Sequence, residues 1–527
     1  MRDLHRPGRS PVYAPTAAIA TSHPLASHVG LDVLKSGGTA ADAAVAACAV
    51  LCVVEPHMTG IGGDCFALIA PKGSGDIQAL NGSGRAPGAA TVNWYRDNGI
   101  TELGLTADPH AVTVPGAVGA WATLLEKFGR KGFDELLAPA IAYAEDGYPI
   151  ASRVGADWID DAERLAQHPV SREVMLINGK APAIGSRHTQ PKLAATLRRI
   201  ASGGRDAFYT GPVAEDIVNH LRSLGGLHTL EDFAQAQSEW VTPIKTEFHG
   251  HDVFECPPNG QGICALMILN ILSRHDVKNL REAERVHLIA EATKLAYAQR
   301  DRYVSDPVQV DVPVDWLLSD AHTEALDAMI DPSGAGAFVD SDFPVHKDTI
   351  YLSCVDADGT AISFINSLFS GFGSCIMAPE SGVMLHNRGR SFKLIEGHAN
   401  AIAPNKRPMH TIIPGMLVKD GQAAGTFGVM GGQYQSTGHA TFLSNLLVRG
   451  MDPQEAMDDS RSFATDGTLQ VENTFAPETY AALEAKGHTL THMDKPIGGG
   501  QAVIIDRKNG VLIGASDPRK DGCALGY

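Results

Sequence analysis

The pattern of apolar and polar positions predicts a β-hairpin in the second half of the chain. β-Branched and apolar residues alternate over residues 349–356, and a second run of this kind extends over residues 360–367. The turn between them contains Asp358-Gly359, a pair typical of tight hairpin turns. Residues 331–344 have no helical period and contain several Gly and Pro residues, which predicts a flexible loop leading into the first strand.

The first half of the chain predicts mainly helices. Residues 18–30 indicate a short strand followed by a helix, and residues 40–51 form a helix of almost entirely small side chains. Thr39 and Asp42 have the spacing of a capping box, which marks the start of that helix. Residues 65–70 indicate a strand. An alanine-rich helix with one acidic residue is expected to pack closely on most of its sides.

Charge and hydropathy bear on the binding partners and the location of the protein. The 527 residues have a formal net charge of -17, which argues against nucleic acid or an anionic membrane as a partner. The basic amino terminus is not followed by an apolar stretch of the kind found in signal peptides, so a cytoplasmic location is expected. The longest apolar run, residues 40–54, includes Asp42 and is too short to span a bilayer.

The cysteines and histidines indicate neither disulfides nor a metal. Eight cysteines are scattered without a CxxC pair, which is typical of buried, reduced thiols in a cytosolic protein. His249-Gly250-His251 resembles a metal ligand pair only superficially, since two histidines in a turn are more often surface residues. We therefore predict no metal. We also predict no organic cofactor, because an amine, a hydroxyl and backbone donors can complete the mechanism considered next.

Thr349 is a candidate nucleophile at the start of the predicted hairpin. A threonine hydroxyl is a weak nucleophile and needs an adjacent base, which a free α-amine on the same residue can supply. An α-amine titrates near ~7.7–8.0, so part of it is available as a base close to neutral pH. This role requires cleavage between Asp348 and Thr349. On its own, an Asp-Thr pair before a strand is more often an ordinary strand start.

The rest of the chain supports the nucleophile. Residues 37–69, which include Gly60-Ile61-Gly62-Gly63-Asp64, resemble the amino-terminal signature of the γ-glutamyltranspeptidase family. The resemblance extends over essentially the whole chain, with its motifs in the family's order at residues 111–118, 282–307, 349, 380–385, 404–408, 431–432 and 514–519.

The resemblance implies a fold and a mode of maturation. The implied fold class is α/β (α+β), a four-layer αββα sandwich of the N-terminal-nucleophile hydrolases with antiparallel sheets. The precursor would cleave itself into a large chain, residues 1–348, and a small chain, residues 349–527. The two would remain together as one catalytic unit, with homo-oligomerisation of that unit left open.

The resemblance also assigns catalytic roles. Thr349 takes the nucleophile position, and Ser367 stands where the family has a threonine whose hydroxyl supports the nucleophile. Gly431 and Gly432 match a double glycine whose N–H groups form an oxyanion hole. Glycine suits that role because a side chain would block close approach of the substrate carbonyl.

The residues that would recognise an amino-acid substrate differ from the family pattern. The family's arginine for the substrate α-carboxylate aligns with Ser83, and Arg85 lies two residues later. The family's aspartate for the α-amino group aligns with Ser391. The remaining substituted positions are Phe369, Arg388, His410 and Thr411.

This pocket lacks an acid for an ammonium group but contains arginines. Arg388, with Arg85 or Arg390, suits an anionic acyl group without an amine, because a guanidinium binds carboxylate bidentately. The alternative is that these arginines form structural ion pairs.

From the retained nucleophile and the arginines in the pocket, we expect a threonyl amidohydrolase acting on a small oxamate-like amide. Three other hypotheses stay open: a γ-glutamyltransferase or glutathione hydrolase, an amidase resembling cephalosporin acylase, and a non-catalytic binding protein with the same fold.

Overall fold

The computed structural model describes residues 8–338 and 348–527. Its α-helices are α1 Pro24–Lys35, α2 Ala40–Val54, α3 Val92–Asp97, α4 Ala117–Phe128, α5 Phe133–Asp146, α6 Ser152–Leu165, α7 Pro169–Met175, α8 Pro191–Gly203, α9 Asp206–Tyr209, α10 Pro212–Ser223, α11 Leu230–Ala234, α12 Gly262–Leu272, α13 Glu282–Tyr303, α14 Val314–Leu317, α15 Asp320–Asp327, α16 Gln435–Leu443, α17 Pro453–Asp458 and α18 Pro477–Ala485.

The strands are β1 Val12–Ala14, β2 Ala18–Thr21, β3 Asp64–Ala70, β4 Gln78–Gly82, β5 Tyr148–Pro149, β6 Arg187–His188, β7 Glu239–Val241, β8 Ile244–Phe248, β9 His251–Glu255, β10 Ile350–Val355, β11 Ala361–Ser367, β12 Ile376–Met377, β13 Met384–Leu385, β14 Gly415–Lys419, β15 Gln422–Met430, β16 Ser462–Thr465, β17 Thr468–Val471, β18 Leu490–His492, β19 Gly499–Asp506, β20 Val511–Ser516 and β21 Cys523–Gly526.

Two seven-stranded sheets form the centre of the molecule. The first, here called the nucleophile sheet, has the order β21-β2-β10-β11-β3-β4-β7, and the second sheet has the order β1-β20-β19-β15-β14-β9-β8. Every neighbouring pair in these two sheets is antiparallel. The predicted hairpin is confirmed as β10 and β11, and both strands lie in the interior of the nucleophile sheet.

The two sheets pack face to face through β10 and β15. Gly428 leaves room for the ring of Tyr351, because a Cβ at Gly428 would lie 2.3 Å from a ring carbon. The Ser353 hydroxyl donates a hydrogen bond to the Thr426 carbonyl at 3.2 Å. These contacts set Tyr351 opposite Gly428 and Ser353 opposite Thr426.

Helices cover the outer face of each sheet. Helix α2 packs on β10 and β11 of the nucleophile sheet, while α12 and α16 pack on strands of the second sheet. The structure thus has the predicted four layers, α-β-β-α, with antiparallel sheets in the middle. Among the described residues, no helix combines enough length and apolarity to cross a bilayer.

Helix α2 extends three residues beyond the predicted end, and all of its residues are buried. Its first turn has the predicted capping box, in which Thr39 Oγ1 accepts from the Asp42 N–H and Asp42 Oδ2 accepts from the Thr39 N–H. Small side chains allow close approach on every side, as the sequence predicts. The predicted loop before Thr349 lacks helix and strand over residues 331–338, and its remaining residues lie outside the described part.

Candidate active site

Thr349 lies immediately before β10, beside the end of β11. The hairpin pairs Ile350 with Asn366, so the next position along each strand brings Thr349 next to Ser367. Both side chains are buried, and their hydroxyl oxygens are 3.1 Å apart. The two hydroxyls also contact the carbonyl oxygen of Asp348, with the Ser367 contact at 3.1 Å. Two hydroxyl groups therefore converge on the peptide bond between Asp348 and Thr349.

This arrangement suits self-cleavage of the uncut chain. Attack of Thr349 Oγ1 on the Asp348 carbonyl carbon would transfer the acyl group from nitrogen to oxygen and so free the Thr349 α-amine. Hydrolysis of the resulting ester would restore the Thr349 hydroxyl and separate the two chains. Ser367 Oγ can donate to the carbonyl oxygen as its negative charge develops. Burial and the nearby Asp161 raise the pKa of the Asp348 carboxyl to about 6.

Removing the Ser367 hydroxyl should slow self-cleavage. In Ser367→Ala the Asp348 carbonyl loses a donor at 3.1 Å, and we expect cleavage about tenfold slower, the size of one hydrogen bond to a developing charge. Ser367→Thr, which keeps a hydroxyl, is the matched control and should cleave at close to the normal rate. A gel time course after synthesis measures both rates. Equal rates for the alanine and threonine variants would contradict this role.

The double glycine Gly431-Gly432 directly follows β15. Tyr351 lies opposite Gly428 and Ser353 opposite Thr426 in the stacked sheets, so the same spacing puts Thr349 at the level of Met430, the residue before Gly431. Gly431 has φ +128° and Gly432 has φ +60°, conformations that favour glycine. The role of the two glycines as an oxyanion hole stays a prediction.

Arg388 is fully buried with part of its guanidinium unpaired. Its Nη1 donates to Thr411 Oγ1 at 2.9 Å, and its guanidinium lies 4.2 Å from the centre of the Phe369 ring. Within the described residues, Nε and Nη2 have no hydrogen-bond partner. Burial lowers the pKa of Arg388 to about 9, so it remains charged at neutral pH. These two nitrogens form the edge of a guanidinium that binds a carboxylate bidentately.

Short contacts connect Arg388 to both parts of the reaction centre. The Phe369 N–H donates to Ser367 Oγ at 2.9 Å. Phe369, whose ring contacts Arg388, is thereby linked to the serine beside Thr349. On the other side, Gln261 Nε2 donates to the Thr411 carbonyl at 2.9 Å and to the Gly432 carbonyl at 3.2 Å. Arg388 therefore belongs to one continuous network with the nucleophile and the double glycine.

Comparison with known proteins agrees with this geometry. The family model described as Gamma-glutamyltranspeptidase matches residues 26–527. The chain belongs to the γ-glutamyltranspeptidase family. Relatives of the chain are hydrolases and acylases made as proenzymes. It is accordingly an autoprocessed hydrolase of this family, and the hypothesis of a non-catalytic binding protein is set aside.

Three similar proteins differ in their names. The chain is 37% identical to the Glutathione hydrolase-like YwrD proenzyme of Bacillus subtilis, over 96% of this chain and 98% of the relative. It is 36% identical to the Oxamate amidohydrolase proenzyme of Klebsiella pneumoniae, over 97% and 98%. Among solved structures, cephalosporin acylase from Bacillus halodurans has a TM-score of 0.94 and 38% identity, covering 100% of this chain and 98% of that one.

A buried carboxylate–histidine cluster next to Arg388 was not predicted. Asp64 Oδ2 lies 3.0 Å from His410 Nε2 and 3.3 Å from His386 Nδ1, and Asp64 Oδ1 accepts from the Gly84 and Gly116 N–H groups. The two histidines lower the pKa of Asp64, and burial lowers the pKa of His410 to about 3. His410, a predicted substrate residue, uses its Nε2 on Asp64. This nitrogen is therefore not available to a substrate, and the contact of His410 in this structure is with the Asp64 carboxylate.

Arg85 is not near the cleavage site. A cavity lined by Asp348 and Ser370 lies there, and Arg85 lines another one. Its guanidinium contacts Glu239 at 2.8 Å, Asp306 at 3.4 Å and the Asn405 carbonyl at 3.0 Å. It lines a cavity of about 230 Å³ that shares no lining residue with the cavity at Asp348. The alternative foreseen for the arginines, a structural ion pair, describes Arg85, and its predicted contact with substrate finds no support here.

Three further positions were singled out in the sequence: Ser391 and Arg390, close to Arg388 along the chain, and Ser83, which is far from it. Ser391 is buried, and its hydroxyl has no hydrogen-bond partner among the described residues. Arg390 donates through Nε to the Leu103 carbonyl at 3.3 Å. Ser83 accepts from Asn259 Nδ2 at 3.1 Å. Ser391 therefore retains a buried hydroxyl that a ligand could meet.

One group of potential metal ligands occurs in the described part of the chain: His287, Glu291 and His488. His287 Nε2 donates to the Asp331 carbonyl, so its Nδ1 accepts from His488 Nε2 at 2.8 Å. Glu291 is already paired with Lys294 at 2.7 Å. These contacts satisfy the facing atoms without an ion, and the absence of a metal stays a prediction.

Proposed function

We propose that the chain cleaves itself between Asp348 and Thr349 and hydrolyses a small amide whose acyl group carries a carboxylate. The products of cleavage are the chains 1–348 and 349–527. The substrate is oxamate-like, and its acyl group is held as an ester on Thr349 Oγ1. The α-amine of Thr349 acts as the base.

The unpaired edge of Arg388 carries this proposal. A fully buried cation whose Nε and Nη2 lack partners is costly unless an anion completes the site. A carboxylate matches both nitrogens at once. Through Phe369 and Ser367 on one side and Gln261 and Gly432 on the other, Arg388 is connected to the residues that would carry out acyl transfer.

A short dicarboxylic acid amide fits between these groups. Its carboxylate would lie against Arg388, and its amide carbonyl would face the N–H groups of Gly431 and Gly432. Those donors would stabilise the negative charge that develops on the carbonyl oxygen during attack by Thr349.

A γ-glutamyl group would leave its ammonium unpaired. The family's acid position is Ser391, and the nearby Asp64 carboxylate is already used by two histidines and two N–H groups. An unpaired ammonium in a desolvated site costs on the order of several kcal/mol, which corresponds to orders of magnitude in affinity. We therefore expect a higher kcat/KM on oxamate than on glutathione.

Arg388→Ala tests the proposed carboxylate site. We expect kcat/KM on oxamate to fall by about one to two orders of magnitude, as for the loss of hydrogen bonds to a charged group. Self-cleavage into two fragments should persist in this variant and reports that it has folded. Arg390→Ala is the matched control, since Arg390 contacts a backbone carbonyl, and its kcat/KM should stay within about threefold of wild type.

Unchanged kinetics in Arg388→Ala would move the carboxylate site elsewhere. Efficient glutathione hydrolysis without oxamate hydrolysis would favour the alternative of a glutathione hydrolase, which the name of the YwrD relative supports. Cleavage of a cephalosporin side chain in preference to both would favour the acylase alternative, which the structural neighbour supports. A cytoplasmic location remains a prediction.

A further inference from the structure

Gln261 joins the two parts of the proposed site. Its side chain is fully buried at the start of α12, and its amide nitrogen donates to the Thr411 carbonyl at 2.9 Å and to the Gly432 carbonyl at 3.2 Å. Thr411 Oγ1 in turn accepts from Arg388, and Gly432 belongs to the predicted oxyanion hole. One amide group therefore connects the cation that would bind the substrate carboxylate to the donors that would stabilise the reacting carbonyl.

Arg300 fixes the direction of this amide. Arg300 is fully buried on α13, and its Nη1 donates to Gln261 Oε1 at 2.9 Å. Its guanidinium lies 4.2 Å from the centre of the Tyr297 ring, one turn earlier on the same helix. Because a guanidinium only donates hydrogen bonds, the Gln261 side-chain oxygen must face Arg300, and both amide hydrogens then face the two backbone carbonyls. The amide satisfies all three partners in this one orientation.

Backbone hydrogen bonds hold the Thr411 segment to the same residue. The Gln261 N–H donates to the His410 carbonyl at 2.8 Å, and the His410 N–H donates to the Asn259 carbonyl at 2.8 Å. The side-chain bond from Gln261 to the Thr411 carbonyl continues this pairing by one residue. Thr411, which contacts Arg388, is therefore held in place through Gln261.

The double glycine is held from the same side. Beyond Gly432, Arg300 Nη1 donates to Gln433 Oε1, and the Tyr297 hydroxyl donates to the Gln433 carbonyl. Together with the bond from Gln261 to the Gly432 carbonyl, these contacts fix the peptide groups on both sides of Gln433. The position of the double glycine is thus tied to α13 and to Gln261.

The separation between Arg388 and the double glycine decides which acyl groups can react. The carboxylate of a dicarboxylic acid half-amide must lie against Arg388 while its amide carbonyl meets the N–H groups of Gly431 and Gly432. The number of methylene groups between these two ends must match the separation, because a displacement of about 1 Å can lower the rate by about 10²-fold. A residue that fixes the separation therefore selects the length of the acyl group.

We propose that Gln261 is a positioning residue that sets the separation between Arg388 and the N–H groups of Gly431 and Gly432, and thereby selects the acyl length. Gln261 acts through Thr411 and Gly432 and makes no contact with the substrate itself. The inference rests on the proposed function, because the acyl group must be anchored on Arg388 while its carbonyl meets the double glycine.

Oxamate and malonamate, which differ by one methylene group in the acyl part, test this role. Wild-type enzyme should have a kcat/KM for oxamate at least about tenfold above that for malonamate, the discrimination that one methylene group gives in a fitted pocket. Gln261→Met removes both donated hydrogen bonds, and its kcat/KM for oxamate should fall about tenfold or more. Its kcat/KM for malonamate should stay within about threefold of wild type, so the preference disappears.

The ratio of the two kcat/KM values separates positioning from loss of structure. A preparation that is partly unfolded loses activity on both substrates by the same factor and keeps the ratio. Self-cleavage depends on the Asp348 carbonyl, which Ser367 contacts, so it should persist in Gln261→Met and report that the variant has folded. Equal losses on both substrates, with the ratio unchanged, would overturn the proposal.

Two further variants complete the test. Gln190→Met is the matched control, because Gln190 is also buried and donates through Nε2 to the Val53 carbonyl at 2.9 Å and to the Tyr148 hydroxyl at 3.4 Å. It should keep the ratio within about threefold of wild type. Gln261→Asn keeps an amide but is one carbon too short to span the two carbonyls and Arg300, so it should lose the preference. It decides the question if Gln261→Met fails to cleave itself and fold.

The outcome for Gln261 can be separated from the outcome for the oxamate-like acyl group. If wild-type enzyme hydrolyses neither oxamate nor malonamate, the proposed acyl specificity fails. The γ-anilide of glutamate and the β-anilide of aspartate, which also differ by one methylene group, then replace them. A preference in either direction that disappears in Gln261→Met would still support this role of Gln261. A wild-type enzyme without a preference in either pair would overturn it.

Discussion

Replacing Thr349 with alanine should leave the purified protein as one uncut chain of 55.8 kDa without amidase activity. The hydroxyl of Thr349 is the group that attacks the Asp348 carbonyl. The hydroxyl of Ser367, 3.1 Å from it, cannot take over this role, because Ser367 does not carry the backbone nitrogen that becomes the base. Wild-type protein should instead run as two fragments of about 37 and about 19 kDa, in proportion to 348 residues and to the remainder of the 527.

Thr349→Ser is the matched control. It keeps a hydroxyl in the same place, so it should cleave itself and retain part of the activity. Denaturing gel electrophoresis and an assay on oxamate measure both properties. A Thr349→Ala protein that still splits at this site would show that another residue performs the cleavage.

The second large effect is expected for Gly431→Ala. Gly431 has φ +128°, and a Cβ there would lie 2.9 Å from the Gly498 Cα, so the backbone of one of the two segments must shift. A shift of the Gly431 and Gly432 N–H groups misplaces the predicted oxyanion-hole donors. Loss of one such donor typically lowers kcat by about 10²- to 10³-fold, and we expect a fall of this size with KM changed much less.

Gly450→Ala is the matched control for the backbone strain that alanine causes at a positive φ. Gly450 has φ +70°, but no atom lies within 4 Å of the position of its Cβ. This variant should lose some thermal stability and keep kcat within about threefold. Steady-state kinetics and thermal unfolding measure both variants. A Gly431→Ala enzyme with normal kcat would contradict the assignment of the oxyanion hole.

Local signals in the sequence were sufficient for the elements that carry the nucleophile. An Asp-Gly turn between two alternating runs predicted the hairpin, and the structure has β10 and β11 there. The capping box at Thr39 predicted the start of α2. Each of these signals acts within a few residues, so neighbouring positions alone determine it. The role of Thr349 itself depended on the family resemblance, because an Asp-Thr pair is not specific.

Contacts between distant segments could not be predicted from the sequence. Arg85 is paired with Glu239 and Asp306, which are 154 and 221 positions away, and no local pattern reveals such partners. The same holds for Asp64, which is joined to a histidine 346 positions later.

The amino-terminal sequence of the smaller fragment tests the central claim most directly. If Thr349 becomes the nucleophile by self-cleavage, sequencing of the small chain from active enzyme should read Thr349-Ile350-Tyr351, and its mass should correspond to residues 349–527. An active enzyme whose chain remains uncut, or whose small fragment begins at another residue, would contradict the account.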